Sequence, residues 1–306
     1  MTDERFETWR GGLAGFGDAV GFAVACVAEG LETVARLGDR GAGGEVVERR
    51  EGEYKSWDAE ILRVDKDVED GFRRRLAARG EPVVLLSEEA GRVELGDGEP
   101  TAFAVADPFD GSWLFQRGVP DFWYSSLALY DAALRPICSA VGDAIHRVIA
   151  FADGTGAYRV PADGEGPGEV TKLDAGFRRS MGRLDVADPA RAGIESYAMK
   201  PTKFLLPLVD RYRPVLEAFK FFLPNGGPYG FVDVAEGKVD VYFAPRQPFV
   251  DIFSGIGIAE RADAIVTDFG GRPVAPADDP ETLWDVVAST NQPLHDQVLE
   301  LVSRCR

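Results

Sequence analysis

Acidic residues gather where apolar runs stop in this sequence. Glu88 and Glu89 follow Val83-Val84-Leu85-Leu86-Ser87, Asp107 and Asp110 follow Phe103-Ala104-Val105-Ala106, and Asp251 follows Pro248-Phe249-Val250. Strand ends are where ligands collect in α/β sheets. Carboxylates that converge there repel one another unless a cation neutralises them. An all-oxygen donor set selects Mg²⁺, Mn²⁺ or Ca²⁺ over zinc or copper. The chain has only two His and three widely spaced Cys, so His-dependent triads, Cys-based zinc sites and a disulfide framework are not indicated. Catalysis would therefore run on carboxylates. Taken singly, each acid has a plainer role: Asp107 to Ser112 is a good turn sequence, and Asp251 could cap a helix. An EF-hand loop fails because Phe109 and Gly111 stand where its third and fifth ligands belong. A dinucleotide fingerprint fails because Glu260 occupies the place of the third glycine after Gly255 and Gly257.

The elements that must position these acids alternate along the chain. The stretch from Gly11 to Ala35 reads as an amphipathic helix; Asp18, Glu29 and Glu32 interrupt it well short of the roughly 20 apolar residues of a membrane span. A charged patch runs from Glu48 to Lys55, and helical spacing of Ile61, Asp65, Val68, Phe72 and Leu76 predicts a helix from Asp58 to Ala78. Val83 to Leu86 and Phe103 to Ala106 read as buried strands, the second ending at Asp107. Strand patterns at Trp123 to Tyr130, Pro136 to Val141 and Arg147 to Phe151 suggest an antiparallel meander. From about Asp174 the pattern becomes α/β, with helices expected from Arg211 to Phe222, Ile252 to Ala262 and Leu294 to Val302. Strands are expected at Val239 to Phe243, Ala264 to Thr267 and Trp284 to Ala288. Pro224-Asn225-Gly226-Gly227-Pro228 is a strong turn signal. The expected organisation is an N-terminal α+β domain over 1–175 carrying most of the acids and a C-terminal α/β domain over 176–306 carrying Asp251.

The 306 residues are 45% hydrophobic and 28% charged, and 51 acidic against 34 basic side chains give a net charge of −17. This is a globular composition, and its sign argues against nucleic acid or an acidic membrane as partner. Asp3, Glu4, Arg5 and Glu7 make no signal peptide, so a cytoplasmic protein acting on a small molecule is expected.

Taken together, Glu88-Glu89, Asp107-Pro108-Phe109-Asp110-Gly111-Ser112 and Val250-Asp251-Ile252 resemble the signatures of the inositol monophosphatase family. These are lithium-sensitive, magnesium-dependent phosphatases whose superfamily includes fructose-1,6-bisphosphatases and bisphosphate nucleotidases. The run Ala264-Ile265-Val266-Thr267-Asp268-Phe269-Gly270-Gly271 is similar to the strand that trails the second signature. The resemblance implies a layered αβαβα sandwich of the mixed α/β (α+β) class. It also implies two or three Mg²⁺ ions, with Mn²⁺ as a substitute, on Glu88, Asp107, Asp110, Asp251 and the carbonyl of Phe109. Gly111 and Ser112 would open a short helix toward a phosphate. By the same resemblance Ser112, with Asp65 or Glu88, would orient and deprotonate the attacking water. Leu62 stands where the family carries a Thr before Asp65, which leaves an exposed helix acid as the other reading of Asp65.

The implied activity is hydrolysis of a small sugar or polyol phosphate such as inositol monophosphate or fructose 1,6-bisphosphate. Ala244 stands where inositol-hydrolysing relatives carry a ring-gripping glutamate. Substrate contacts are expected from Asp110, Gly111, Ser112, Tyr229 and Arg246; Arg246 or Lys203 would serve a second phosphate, each having a surface charge as its plainer reading. Tyr197 and Lys200 are further pocket candidates. Two alternatives remain: a 3′(2′),5′-bisphosphate nucleotidase stacking a base on Trp123, Phe122 or Tyr229, and a catalytically silent metal-binding regulatory member. The family is commonly dimeric, so a homodimer is also expected.

Overall fold

The computed structural model describes residues 1–50, 59–183 and 185–305; the predicted helix start at Asp58 and the end of the charged patch at Lys55 lie outside them. An eight-stranded sheet is ordered Thr171–Leu173, Ala157–Pro161, Val148–Ala152, Pro136–Asp143, Tyr124–Asp131, Ala102–Asp110, Val83–Ser87, Gly91–Leu95. It is antiparallel throughout except for one pair, Val83–Ser87 beside Ala102–Asp110, which runs parallel with Ser87 opposite Ala106. A five-stranded sheet is ordered Phe221–Leu223, Gly193–Glu195, Val241–Pro248, Leu283–Ser289, Ile265–Asp268. A small ribbon pairs Val46–Arg49 with Glu60–Leu62.

The period-2 alternation of strand side chains builds the layers. Val83, Leu85, Ala104 and Ala106 face the helices Asp18–Asp39 and Arg63–Ala78. Their neighbours Val84, Leu86 and Val105 face the helices Pro228–Glu236 and Phe249–Arg261, which in turn pack on Tyr242, Ala244, Val286 and Ala288 of the second sheet. On that sheet's far side Val241, Phe243 and Val287 meet the helices Leu206–Ala218 and Gln292–Ser303. The result is helix, sheet, helix, sheet, helix, the mixed α/β sandwich that the signatures implied. Every residue of Val83–Ser87 is buried, as expected of a strand covered on both faces.

Several boundaries differ from the sequence expectation. The second long helix begins at Arg63, because Glu60–Leu62 is drawn into the ribbon. The strand that should end at Asp107 continues to Asp110, with a register irregularity between the two aspartates that accommodates Pro108, a residue with no ladder N–H. Phe221 and Phe222 continue no helix: they pair parallel with Gly193–Glu195 as the sheet edge, and the helix before them runs Leu206–Ala218 after a π-helical turn at Pro201–Leu205. The Phe249–Arg261 helix starts before Ile252, so Asp251 lies in its first turn and Pro248 takes the cap position. Among the described residues no helix is long and apolar enough to cross a membrane.

Candidate active site

The parallel strand pair ends at a cavity of about 450 Å³ lined by Asp65, Glu88, Asp107, Asp110, Ser112 and Asp251, among others. Carboxylate oxygens of Glu88, Asp107 and Asp251 all lie within 4.8 Å of one another. Three separate elements deliver them. Glu88 leaves the end of Val83–Ser87, its N–H held by the carbonyl of Ala106 at 3.1 Å. Asp107 sits on the adjacent strand, and Asp251 on the helix whose positive N-terminal end favours an anion.

Asp107 is the most constrained of the three. It is 2% exposed, and one carboxylate oxygen has no hydrogen-bond partner among the described residues. Burial pushes its carboxyl well above the usual range, and the charges of Glu88, Asp110 and Asp251 push the same way. A buried oxygen facing several like charges is the condition that a hard cation relieves. The donor chemistry therefore fits a divalent metal.

Asp65 is buried at 2% exposure, not a surface acid of its helix. It accepts a 2.6 Å hydrogen bond from the Ser112 hydroxyl and one at 2.8 Å from the Leu62 N–H. Burial raises it to about 7, against the pull of those two donors and with the Glu88 charge adding to the rise. Gly111 adopts φ 107° before the helix Ser112–Gln116, and a Cβ there would lie 2.2 Å from the carbonyl oxygen of Phe122. Only glycine satisfies both demands. Phe109 borders the cavity while its ring is buried edge-on against Phe115 at 5.6 Å.

Two of the expected substrate residues lie elsewhere. Tyr229 is 2% exposed and stacks on Tyr124 at 4.4 Å, because Pro228 starts a helix that turns this side chain into the core. Arg246 stands at a bulge of Val241–Pro248 with φ 53° and lines a neighbouring cavity of about 590 Å³ with Lys203. Tyr197 and Phe204 belong to both cavities, and Lys200 to the acidic one. Trp123 is half-buried against Phe115 at 5.0 Å, and neither it nor Phe122 lines the acidic cavity, so no base-stacking platform forms from Trp123, Phe122 and Tyr229.

Residues that the sequence did not single out complete the wall. Arg50 is ion-paired with Glu89, and both residues line the cavity. Gln247, 2% exposed, and the exposed Trp113 also line the cavity. Gly227 passes so close that a Cβ would lie 2.4 Å from a carboxylate oxygen of Asp110. The Gly-Gly-Pro turn signal marked that position, whereas Arg50 was read only as part of the charged patch from Glu48 to Lys55.

No family model matches the chain. Full-length relatives do. It is 27% identical over 239 residues to a fructose-1,6-bisphosphatase/inositol-1-monophosphatase of Thermococcus kodakarensis, spanning 78% of this chain and 80% of the relative. It is 27% identical over 241 residues to a fructose-1,6-bisphosphatase of Pyrococcus furiosus, spanning 78% and 82%. Its fold matches the extragenic suppressor protein SuhB of Bartonella henselae with TM-score 0.70 at 17% identity, over 92% of this chain and 96% of the other. The chain is similar in sequence to proteins named fructose-1,6-bisphosphatase/inositol-1-monophosphatase and shares the fold of SuhB. An IMPase of Thermotoga maritima superposes similarly, with TM-score 0.67 at 17% identity over 92% and 95% of the two chains. The chain carries Glu88, Asp107, Asp110 and Asp251 around one cavity.

Proposed function

We propose that the chain is a metal-dependent phosphomonoesterase acting on a small sugar or polyol phosphate of the inositol monophosphate or fructose 1,6-bisphosphate type. The carrying observation is the convergence of Glu88, Asp107 and Asp251 beside the Asp65–Ser112 hydrogen bond. Glu88, Asp107, Asp110, Asp251 and the Phe109 carbonyl would hold Mg²⁺, two or three ions in all. Bound there, the metal supplies charge neutralisation and Lewis acidity for a phosphate dianion.

The chain's own groups divide the remaining work. Ser112 donates its proton to Asp65, so its oxygen lone pairs stay available to accept a hydrogen bond from the attacking water. Asp65, held at about 7, is poised to take up a proton near neutral pH. Gly111 and the first turn of Ser112–Gln116 present backbone N–H groups to phosphate oxygens. Arg246 and Lys203, in the adjoining cavity, would hold a second anionic group of a bisphosphate.

The test is phosphate release from inositol 1-phosphate, fructose 1,6-bisphosphate and adenosine 3′,5′-bisphosphate, with Mg²⁺ and with EDTA. Mg²⁺-dependent release from the first or second is expected. Release confined to the nucleotide would replace the substrate class, and no release from any substrate despite measured metal binding would sink the assignment.

A further inference from the structure

A second cavity, of about 410 Å³, differs from the acidic one in charge and place. It lies where the C-terminal part of the Asp18–Asp39 helix, the N-terminal helix Asp3–Gly12 and the hairpin between Pro136–Asp143 and Val148–Ala152 meet, and it shares no residue with the acidic cavity. Arg5, Arg36, Arg40 and Arg147 line it. Arg5 is committed to Glu32 at 3.2 Å. Arg36, Arg40 and Arg147 form no ion pair among the described residues, and neither do Asp39 and Asp163 on the same wall. In a chain of net charge −17, such a concentration of uncommitted guanidinium groups is out of character.

The position of Arg147 strengthens the point. The negative end of the Asp18–Asp39 helix favours basic residues such as Arg36 and Arg40, but Arg147 comes from a different element. It has φ 49°, the left-handed region that costs any residue with a Cβ. The turn around it is fixed by Asp143, whose carboxylate accepts the N–H groups of Ile145 at 2.8 Å and His146 at 2.9 Å. The Arg147 carbonyl also accepts the N–H of Ala162 at 2.7 Å. Glycine or asparagine would hold that backbone at lower cost, yet an arginine stands there with its side chain on the cavity wall.

The rest of the wall suits a compact ligand. Ala28, Ala35, Ala144 and Ala162 leave room between the arginines. Trp9, also on the wall, keeps its indole N–H without an acceptor among the described residues. We propose that this cavity binds a small polyanion, a metabolite with at least two phosphate or carboxylate groups, through Arg36, Arg40 and Arg147. Arginine is suited to this task because its planar fork engages either group in bidentate fashion.

The experiment is calorimetric titration of the full chain with inorganic pyrophosphate and, separately, citrate, in EDTA and at matched ionic strength. No substrate is turned over, so the result does not depend on the phosphatase assignment. Saturable binding of at least one probe is expected, weakened at least tenfold in an Arg36→Gln/Arg147→Gln double variant. Preference for pyrophosphate or for citrate identifies the anionic group. An Arg147→Gly variant separates binding from folding, since relief of the left-handed backbone should raise Tm while affinity falls. Absence of saturable binding for both probes overturns the proposal, as does binding undiminished in the double variant.

Discussion

The buried acids around Asp233 and those around Asp107 are balanced in opposite ways. Away from the cavity, Asp233 and Glu236 share the Lys238 ammonium at 3.0 and 2.8 Å, and Arg159 reaches Glu236 at 3.1 Å. Burial raises Asp233 only to about 6 because Lys238 opposes the rise. At the cavity, Asp107 has Glu88, Asp110 and Asp251 as its charge neighbours, and all of them add to the effect of burial. The first group carries its own cations and is part of the scaffold. The second leaves a buried oxygen that calls for a cation from outside. The sign of the neighbours distinguishes a structural acid cluster from a ligand site, even where burial is nearly equal.

Substitutions should separate the two groups most sharply. Asp107→Asn is expected to lower kcat/KM by at least ~10³-fold while raising the metal-free Tm, because it removes one of several like charges. A metal-free protein that melts lower would show that Asp107 is compensated after all. Ser112→Ala should cost on the order of 10²-fold in kcat, with Ser112→Thr restoring most of it. Equal rates for Ser112→Ala and the parent would remove the hydroxyl from the reaction.

Lys238→Met tests the scaffold group, and urea unfolding should show a loss of about 2 kcal/mol, discounted for the partial exposure of the ammonium. Its kcat should stay unchanged at temperatures well below unfolding; a tenfold drop would mean that the two groups are coupled. The smallest effect concerns pH. Asp65 and Glu69 rise from 3.8 and 4.5 to about 7, chiefly through burial. The native state therefore binds more protons than the unfolded chain between about pH 4 and 7, and metal-free stability should fall as pH rises through that window. Saturating Mg²⁺ should flatten or reverse the slope, because metal binding requires ionised carboxylates. A slope that is the same with and without Mg²⁺ would place the ion elsewhere.

Much of the site was legible because its acids end apolar runs: Val83 to Leu86 is too short for a helix and too apolar for a surface, so the register that brings Glu88 beside Asp107 follows from burial. Gly111 was legible for a similar reason, as a residue without a Cβ between a strand and a helix. The C-terminal half was harder to read. Gly193–Glu195 is three residues long and ends in a fully buried glutamate, a pattern that looks like a loop without its neighbours. Phe221 and Phe222 look like the end of a helix until a parallel partner turns them into an edge strand. Tyr229 shows the same limit at a single residue, since an aromatic after a turn faces either cavity or core, and only the direction of the Pro228–Glu236 helix decides. Arg50 reaches the site from a charged segment that reads as solvated surface.

The near-contact of Gly227 with Asp110 has a consequence for how the protein comes into being. The carboxylates of the first sheet are synthesised long before the glycine that confines one of them and before Asp251. A ribosome-bound chain can thus build most of its first sheet while the site is still open on one side. On the metal-site reading proposed above, metal capture at full affinity then becomes a late event, one that follows completion of the second sheet.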